Sequence, residues 1–484
     1  MKKIFISFVF FFIAVSAYCF PKHIEEDLQV FKTYMEQCYV AYDENVKLGF
    51  DIDETIKKIK KDYKKNYKRE KRNNPNFSED FFLAGIMSHY LWKDLKIKDG
   101  HFSIYSSNGA YRVTFAEQCY FSPLYFEKIG EEFFLLEDFN SEIKKGMKYT
   151  DDVNNLKNVI YKNQEVYQFI LVTTNVSVEK VIINLNDKEY EIPVKENTRF
   201  KNSKNEKQIN SIRTKDTFYM SVGKCLNYYA EENNEYREHL ASIVDEFQKR
   251  PEYSNIIIDL RSNTGGISFS ENLLPYLYYF DDKVKILTFN NNLRLAEEGL
   301  LTLHSTEFLK KLYEQREKEG YPEASLKTIQ RDYEKTVQEG GRYYKEWSEY
   351  PISKLVQEKN SAFKGKTYVL VDKKTSSAAE NVIAHTFLID EDRVELIGEN
   401  TSGCLDFGGV YYYELPNTKI EISLCINAYK DTGLLSKNPN WHGDTKGFYP
   451  DYWATNENVL DTLVYLTKDE ELRTVLADLD KGLQ

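Results

Sequence analysis

The sequence predicts an α/β fold around a parallel sheet, and three observations carry this prediction. Residues 256–266 read IIIDLRSNTGG, an apolar run followed by a polar turn with two glycines. Residues 367–371 form a second apolar run, which leads into a turn with two serines and then into a helical pattern. A continuous apolar run of this length is typical of a strand buried on both faces of a parallel sheet. Helical spacing and then alternating strands precede both runs, so the parallel sheet belongs to the C-terminal half.

The chain begins with a segment typical of export. Lys2 and Lys3 precede an apolar run from Ile4 to Ala17, which is shorter than a membrane span. We therefore interpret residues 1–19 as a secretory signal peptide and expect a mature chain without a transmembrane span. The frequent Tyr, Lys and Asn residues suggest a bacterial gene, so the expected location is secreted or periplasmic. Cys19 would be the lipidated residue if the protein were a lipoprotein.

Residues 20–112 form the predicted N-terminal helical region. Helical spacing predicts helices over Glu25–Leu48, Ile52–Arg72 and Ser78–Trp92. Lysines between positions 57 and 65 lie outside an apolar stripe on the second helix, as on a solvated face. The alternative is association with the cell envelope through an anionic polymer or lipid headgroups. The region ends in an Asp99-Gly100-His101 turn that opens a predicted strand.

Two further regions follow. Residues 113–200 contain short alternating strands, which predict a β-rich domain. Residues 213–484 contain both apolar runs and form the predicted core. Within the core, residues 291–355 are rich in Glu, Lys and Leu at helical spacing, which indicates a helical insertion, a candidate lid over the active site.

Composition and charge argue against several functions. Loss of Lys2 and Lys3 takes the formal net charge from −11 to −13, which does not favour nucleic acid as a partner. The mature cysteines at positions 38, 119, 225, 404 and 425 are scattered singly and make no disulfide framework. The sequence has no HExxH motif, no paired CxxC and no complete EF-hand loop, so we expect neither a metal nor a cofactor.

The candidate nucleophile is Ser377. A helix is expected to begin on this serine, with Ala378 in its first turn. The first N–H groups of a helix lack intrahelical acceptors and carry partial positive charge, which suits an oxyanion that develops beside a serine hydroxyl. The alternative is that a hydroxyl of this turn is only the helix N-cap. Gly265 or Gly266, beyond the end of the other strand, could offer a second N–H to the same oxyanion.

These segments together resemble peptidase family S41, which includes the carboxyl-terminal processing (tail-specific) proteases and the tricorn protease core. IIIDLRSNTGG, the box TSSAAE and the turn ELIGENTSG are similar to the family's strand, serine box and Gly-Glu-x-Thr-x-Gly turn. The resemblance implies a ClpP/crotonase-like βαβ sheet, Ser377 as nucleophile, and supporting roles for Glu380 and Glu399. It also implies that the β-rich region corresponds to a PDZ-like domain in degenerate form.

One departure from the family concerns the base. The processing proteases use a lysine after the Gly-Glu-x-Thr-x-Gly turn, where this chain has Cys404. The tricorn-like branch uses an N-terminal histidine from a segment that resembles Asp99-Gly100-His101, so the resemblance implies His101 as base. Imidazoles titrate near neutrality, which suits proton transfer. The acid that the resemblance implies is Asp444, although the branch uses Glu there, and His442 is the alternative histidine.

The predicted function is a secreted serine endopeptidase that acts on protein or peptide substrates. The alternative is a catalytically inactive binding protein on the S41 fold, for peptide ends, cell-wall material or a small apolar ligand. The cysteine at position 404 favours this alternative. A third hypothesis, a structural or adhesive surface protein, rests on the aromatic-rich composition and the basic helix. The sequence does not predict the cleavage preference or the oligomeric state.

Overall fold

The computed structural model describes most of the chain outside the expected signal peptide. The described residues are 20–112, 116–174, 177–197, 209–226, 233–249, 252–267, 273–279, 300–303, 305–318, 320, 322–339, 343–345, 363–429 and 438–482. The signal peptide predicted at residues 1–19 lies outside these residues. Among the described helices, none is both long and apolar enough to cross a membrane.

Helices and strands alternate in the pattern of a mixed α/β protein. The α-helices are α1 Lys22–Cys38, α2 Tyr42–Lys47, α3 Ile52–Asn73, α4 Glu79–Asp94, α5 Asn234–Gln248, α6 Leu274–Tyr278, α7 Thr306–Lys318, α8 Glu323–Glu339, α9 Ala378–Asp390, α10 Val459–Thr467 and α11 Glu471–Gly482. In the part of the chain that the structure describes, two short 3-10 helices cover Val153–Asn155 and Glu391–Arg393. These assignments confirm the α/β class with N-terminal helices.

The strands are numbered in chain order. They are β1 Ser103–Ser106, β2 Gly109–Arg112, β3 Gln118–Ile129, β4 Glu132–Leu135, β5 Leu156–Tyr161, β6 Gln164–Thr173, β7 Lys180–Leu185, β8 Lys188–Pro193, β9 Lys195–Glu196, β10 Ile209–Arg213, β11 Thr217–Val222, β12 Asn255–Asp259, β13 Leu300–Leu303, β14 Tyr343–Lys345, β15 Lys366–Val371, β16 Val394–Gly398, β17 Phe407–Glu414, β18 Glu421–Tyr429 and β19 Tyr452–Trp453. Strands β12 and β15 lie where the two apolar runs predicted them.

The chain divides into two compact units. The first comprises Met1–Thr114, Leu301–Tyr344 and Gly409–Ala428, and the second comprises the remaining segments. In the first unit, helices α1 to α4 accompany a six-stranded sheet in the order β14-β13-β18-β1-β2, with β17 paired to β18. Strand β1 is antiparallel to both β18 and β2, and Ser103 pairs with Ser423.

The first predicted helix is wrong in extent, because α1 and α2 replace the continuous helix expected over Glu25–Leu48. The backbone at Tyr39 is extended, and the N–H of Val40 donates to the carbonyl of Cys425 at 3.0 Å. Tyr39 and Val40 are buried, so tertiary pairing with strand β18 overrides the helical spacing here. The apolar stripe predicted on α3 is buried, since Ile59 and Tyr63 are at most 1% exposed.

The parallel sheet forms the centre of the second unit. Its strand order is β10-β11-β12-β15-β16-β19, and all pairs from β11 onward are parallel. The five residues of β12 are all buried, as expected for a strand covered on both faces. Ile256 and Ile258 pack with α5, α6 and α9, whereas Ile257 packs with α10 and α11. Successive side chains of a strand point to opposite faces of the sheet, so each strand contributes residues to two separate hydrophobic cores.

The β-rich region also lies in the second unit. Strands β3, β4, β5, β6 and β9 form one antiparallel sheet, and β7 and β8 form a hairpin. Described residues 116–174 and 177–197 contain no α-helix, and their helical structure is limited to the 3-10 turn at Val153–Asn155. The PDZ-like character of this region stays a prediction.

The described part of the predicted insertion at residues 291–355 contains helices α7 and α8, with the short strands β13 and β14 beside them. Both strands join the sheet of the first unit, and Leu301–Tyr344 groups with that unit. The sequence analysis did not foresee these strands, because Leu300–Leu303 and Tyr343–Lys345 are too short to show a period of two.

Candidate active site

Ser377 lies in a strained turn between β15 and α9. Its backbone has a φ of +55°, in the left-handed region that residues other than glycine seldom adopt. The helix therefore begins at Ala378, one residue later than expected. Ser376 and Ala378 are buried, whereas Ser377 is partly exposed. Such strain costs on the order of 1–3 kcal/mol. At a sharp strand-to-helix turn, the strained conformation exposes the hydroxyl of a nucleophilic serine.

Hydrogen bonds hold this turn against its neighbours. The N–H of Ser376 donates to the carbonyl of Asn263 at 3.0 Å, and the Thr375 hydroxyl donates to the carbonyl of Leu260 at 2.9 Å. On the other side, the N–H of Ser402 donates to the carbonyl of Thr375 at 2.9 Å. The turns that follow β12, β15 and β16 are thus joined at the carboxyl edge of the parallel sheet, where ligands bind in open α/β folds.

The Glu380 carboxylate connects the serine turn to the Gly-Glu-x-Thr-x-Gly turn. Oε2 accepts the N–H groups of Ser377 and Cys404, each at 2.9 Å. Oε1 accepts the Thr401 hydroxyl at 2.5 Å and the Gly403 N–H at 2.8 Å. Burial raises the pKa of this carboxyl, while the four donors act in the opposite direction. The contact to the Ser377 N–H is the backward bond of a capping box.

Gly265 packs directly against the nucleophile turn. Its φ is +84°, and a Cβ there would lie 2.6 Å from the Ser376 carbonyl oxygen and 2.8 Å from the Ser377 Cβ. Its own N–H donates to Asn263 Oδ1 at 2.9 Å, which makes it a poor oxyanion donor. Gly266 follows at φ +138°, against the Cys225 carbonyl. Between the two glycines, this geometry favours Gly266 as the partner of Ala378, whose N–H begins the helix.

The Asp-Leu-Arg segment has a structural role next to this site. The guanidinium of Arg261 contacts the Asp259 carboxylate through Nε at 3.0 Å and through Nη2 at 2.6 Å. The Tyr219 hydroxyl also donates to Asp259, at 2.8 Å. Both charged side chains are at least nine-tenths buried. The paired charges fix the end of β12 and the start of the turn that leads to the glycines.

Asp444, the predicted acid, lies in the second unit. Its Oδ1 accepts the N–H groups of Leu405 and Asp406, each at 2.8 Å, and its own N–H donates to Asp406 Oδ2 at 3.1 Å. The carboxylate thus holds the segment that follows Cys404. A further role as the partner of an imidazole stays a prediction.

Glu399 and Cys404 occupy the turn after β16. Glu399 is 3% exposed, its Oε1 accepts no hydrogen bond among the described residues, and burial raises its pKa to about 7. Cys404 is 5% exposed, and its N–H is bound by Glu380. The position that holds a lysine in the processing proteases is therefore filled here by a buried thiol.

His101 lies in the first unit, immediately before β1. Its N–H donates to Asp99 Oδ1 at 2.8 Å, and its carbonyl accepts the Ser423 hydroxyl at 2.7 Å. The imidazole Nδ1 lies 3.7 Å from Asp99 Oδ1, and the His101 side chain is 15% exposed. Cys425 Sγ lies 3.6 Å from the same oxygen. Strand β18 therefore brings a cysteine to the predicted base.

The structure brings together, within the second unit, the residues predicted around the nucleophile. These are Gly265, Gly266, Ser377, Ala378, Glu380, Glu399 and Asp444, and they connect to one another through the turns described above. His101 is in the other unit. The sequence analysis assigned no role in the site to Asn263, Asp99 or Cys425. The Asp-x-His spacing, typical of a carboxylate that caps its own turn, was the available signal for Asp99.

Comparison with known proteins finds a similarity to one family over part of the chain. The model of peptidase family S41 matches residues 226–432. This segment contains the serine box and both glycines, whereas His101 and Asp444 lie outside it. No curated protein matches the sequence.

Several solved structures are similar to most of the chain at low identity. Mature CPAF is 13% identical at a TM-score of 0.40, with 94% of this chain and 97% of that chain covered. A peptidase described as putative, from Parabacteroides merdae, is 12% identical at 0.35, with coverages of 93% and 96%. The photosystem II D1 C-terminal processing protease is 12% identical at 0.30, with coverages of 93% and 97%. With TM-scores below 0.5, these likenesses carry no argument about this chain.

Proposed function

We propose that this chain is an exported serine endopeptidase of the S41 type, which hydrolyses peptide bonds through Ser377, His101 and Asp444. The observation that carries the proposal is the strained backbone of Ser377, which is partly exposed between buried neighbours and is held by Glu380. A serine that served only as a helix cap would not require a positive φ, because N-cap residues adopt extended backbone angles.

The proposed chemistry gives each of these residues the role that the family resemblance implies. Ser377 Oγ attacks the peptide carbonyl, and His101 takes the hydroxyl proton and later gives it to the leaving amine. The oxyanion meets the N–H groups of Ala378 and Gly266, each worth about 3 kcal/mol of transition-state stabilisation. Water then hydrolyses the acyl-enzyme by the same proton path. Asp444 orients the imidazole, and no cofactor enters the reaction.

Cleavage of unfolded casein by the purified protein tests this function. Ser377→Ala and His101→Ala should each abolish cleavage while far-UV circular dichroism stays unchanged. Ser376→Ala is the matched control, because it removes the neighbouring hydroxyl of the same box, and it should leave cleavage intact. Cleavage that survives Ser377→Ala would refute the assignment of the nucleophile.

A second function is favoured by one specific observation, the buried thiol of Cys404 where the processing proteases have lysine. On this hypothesis the protein binds peptide ends, cell-wall material or a small apolar ligand without turnover. Wild-type protein that is as inert as Ser377→Ala on a broad peptide library, yet retains peptides from it, would support this function and overturn the endopeptidase.

A further inference from the structure

Three side chains that could hold a metal ion converge at the start of β1 in the first unit. Asp99, His101 and Cys425 each offer one donor atom, and these atoms all lie within 4.8 Å of one another. Two of the separations are 3.6 Å, from Cys425 Sγ to Asp99 Oδ1, and 3.7 Å, from that oxygen to His101 Nδ1. The sequence analysis did not expect such a cluster, because Cys425 is remote in sequence from the other two residues.

The antiparallel pairing of β1 with β18 explains why these residues meet. Ser103 pairs with Ser423, and the two strands run in opposite directions. Continuing this register by two residues brings His101 opposite Cys425, on the same face as the serine pair. The Ser423 hydroxyl donates to the His101 carbonyl at 2.7 Å and accepts the Ser103 N–H at 2.8 Å, so the backbone of the cluster is held by the sheet.

The donor set and the spacing fit Zn²⁺. Zinc binds thiolate sulfur at about 2.3 Å and imidazole nitrogen or carboxylate oxygen at about 2.0–2.2 Å in a tetrahedron. Such bond lengths place neighbouring donors roughly 3.3–3.6 Å apart, within tenths of an ångström of the two separations above. A thiol with an imidazole is a poor set for Mg²⁺ or Ca²⁺, which prefer oxygen ligands.

We propose that Asp99, His101 and Cys425 form an inhibitory zinc site. Three protein ligands leave a fourth position for water, and the partly exposed His101 side chain provides access, since Asp99 and Cys425 are fully buried. Binding releases the thiol proton of Cys425 to solvent as its sulfur bonds to the metal. The inhibitory effect rests on the proposed role of His101 as base. A neutral imidazole that binds a metal through Nδ1 carries its own proton on Nε2, so neither nitrogen has a free lone pair for the serine proton.

Metal binding is tested first, without reference to activity. Purified metal-free protein is titrated with Co²⁺ and then with Zn²⁺, and the near-ultraviolet thiolate-to-cobalt absorption is recorded. We expect one tightly bound ion that Zn²⁺ displaces. Cys425→Ala should remove the absorption, and Asp99→Asn should weaken binding by at least the 10- to 100-fold typical of residues that support a metal. Cys38→Ala, which removes another buried cysteine of the first unit, is the matched control and should bind normally.

Inhibition is tested next, on casein cleavage normalised to the metal-free rate of each protein. Wild type and Cys38→Ala should be inhibited by Zn²⁺ and restored by a chelator, and Cys425→Ala should need at least about 10-fold more metal. A wild type without the thiolate absorption, or a Cys425→Ala protein that binds like wild type, would overturn the site. Metal binding with uninhibited cleavage would overturn its inhibitory role. Failure of the proposed peptidase function would appear instead as no cleavage in metal-free protein.

Discussion

Glu380→Gln should weaken both the fold and the nucleophile turn. The two carboxylate oxygens accept two donors each, and those on Oε2 include the N–H of Ser377 itself. A glutamine has one acceptor oxygen, and its NH₂ group would face two donors. Two hydrogen bonds to a charged group, each worth about 1.5–3 kcal/mol, are therefore lost. Relief of the buried charge offsets part of this loss, so we expect the free energy of unfolding to fall by about 3 kcal/mol.

Urea denaturation measures the loss, and casein cleavage measures its consequence for the turn. Asp444→Asn is the matched control for stability, because both of its described acceptor bonds fall on Oδ1, and an amide oxygen can keep both. That variant should lose about 1 kcal/mol or less. Equal losses in the two variants, or a Glu380→Gln protein with wild-type stability and cleavage, would refute the inference that this carboxylate holds the serine in place.

Two further predictions concern glycine packing and pH. Gly265→Ala should abolish cleavage and destabilise the fold, because the added Cβ would lie 2.6 Å from an atom of Ser376 and 2.8 Å from an atom of Ser377. Gly146 has nearly the same φ but lies in open space, so Gly146→Ala should lower the free energy of unfolding, measured by urea denaturation, by only about 1 kcal/mol. Burial raises the pKa of Glu399 from 4.5 to about 7 in the folded protein. Between these pH values the unfolded chain loses the proton that the folded protein retains, so the free energy of unfolding should fall by about 3 kcal/mol as the pH rises from about 4.5 to 7. Glu399→Gln should flatten this pH dependence of the unfolding free energy, and an unchanged profile would contradict it.

The parallel sheet and the serine turn were predictable from local signals. Strands β12 and β15 are continuous apolar runs, and the turn residues that follow them belong to short motifs with a specific order. The start of α9 was also nearly correct. The error of one residue arises because Ser377 adopts a positive φ, which excludes it from the helix. A strained backbone angle at a residue other than glycine cannot be predicted from the sequence.

Features made by contacts between distant segments could not be predicted in this way. The break after α1 comes from pairing of Val40 with Cys425, and the cluster of Asp99, His101 and Cys425 depends on the register of β1 against β18. The N–H of Gly265 donates to Asn263 Oδ1, and this hydrogen bond depends on the rotamer of Asn263. Each depends on a tertiary contact that spacing along the chain does not encode.

The central claim is that Ser377 is an activated nucleophile, and covalent labelling by a fluorophosphonate tests it most directly. The probe reacts with activated serine hydroxyls, and peptide mass spectrometry identifies the modified residue without knowledge of the substrate. We predict labelling of Ser377 in wild type, none in Ser377→Ala, and at least about a 100-fold slower rate in His101→Ala, since general base catalysis contributes about 10²- to 10⁴-fold. Labelling of another serine, or a His101→Ala protein that reacts at the wild-type rate, would contradict the account.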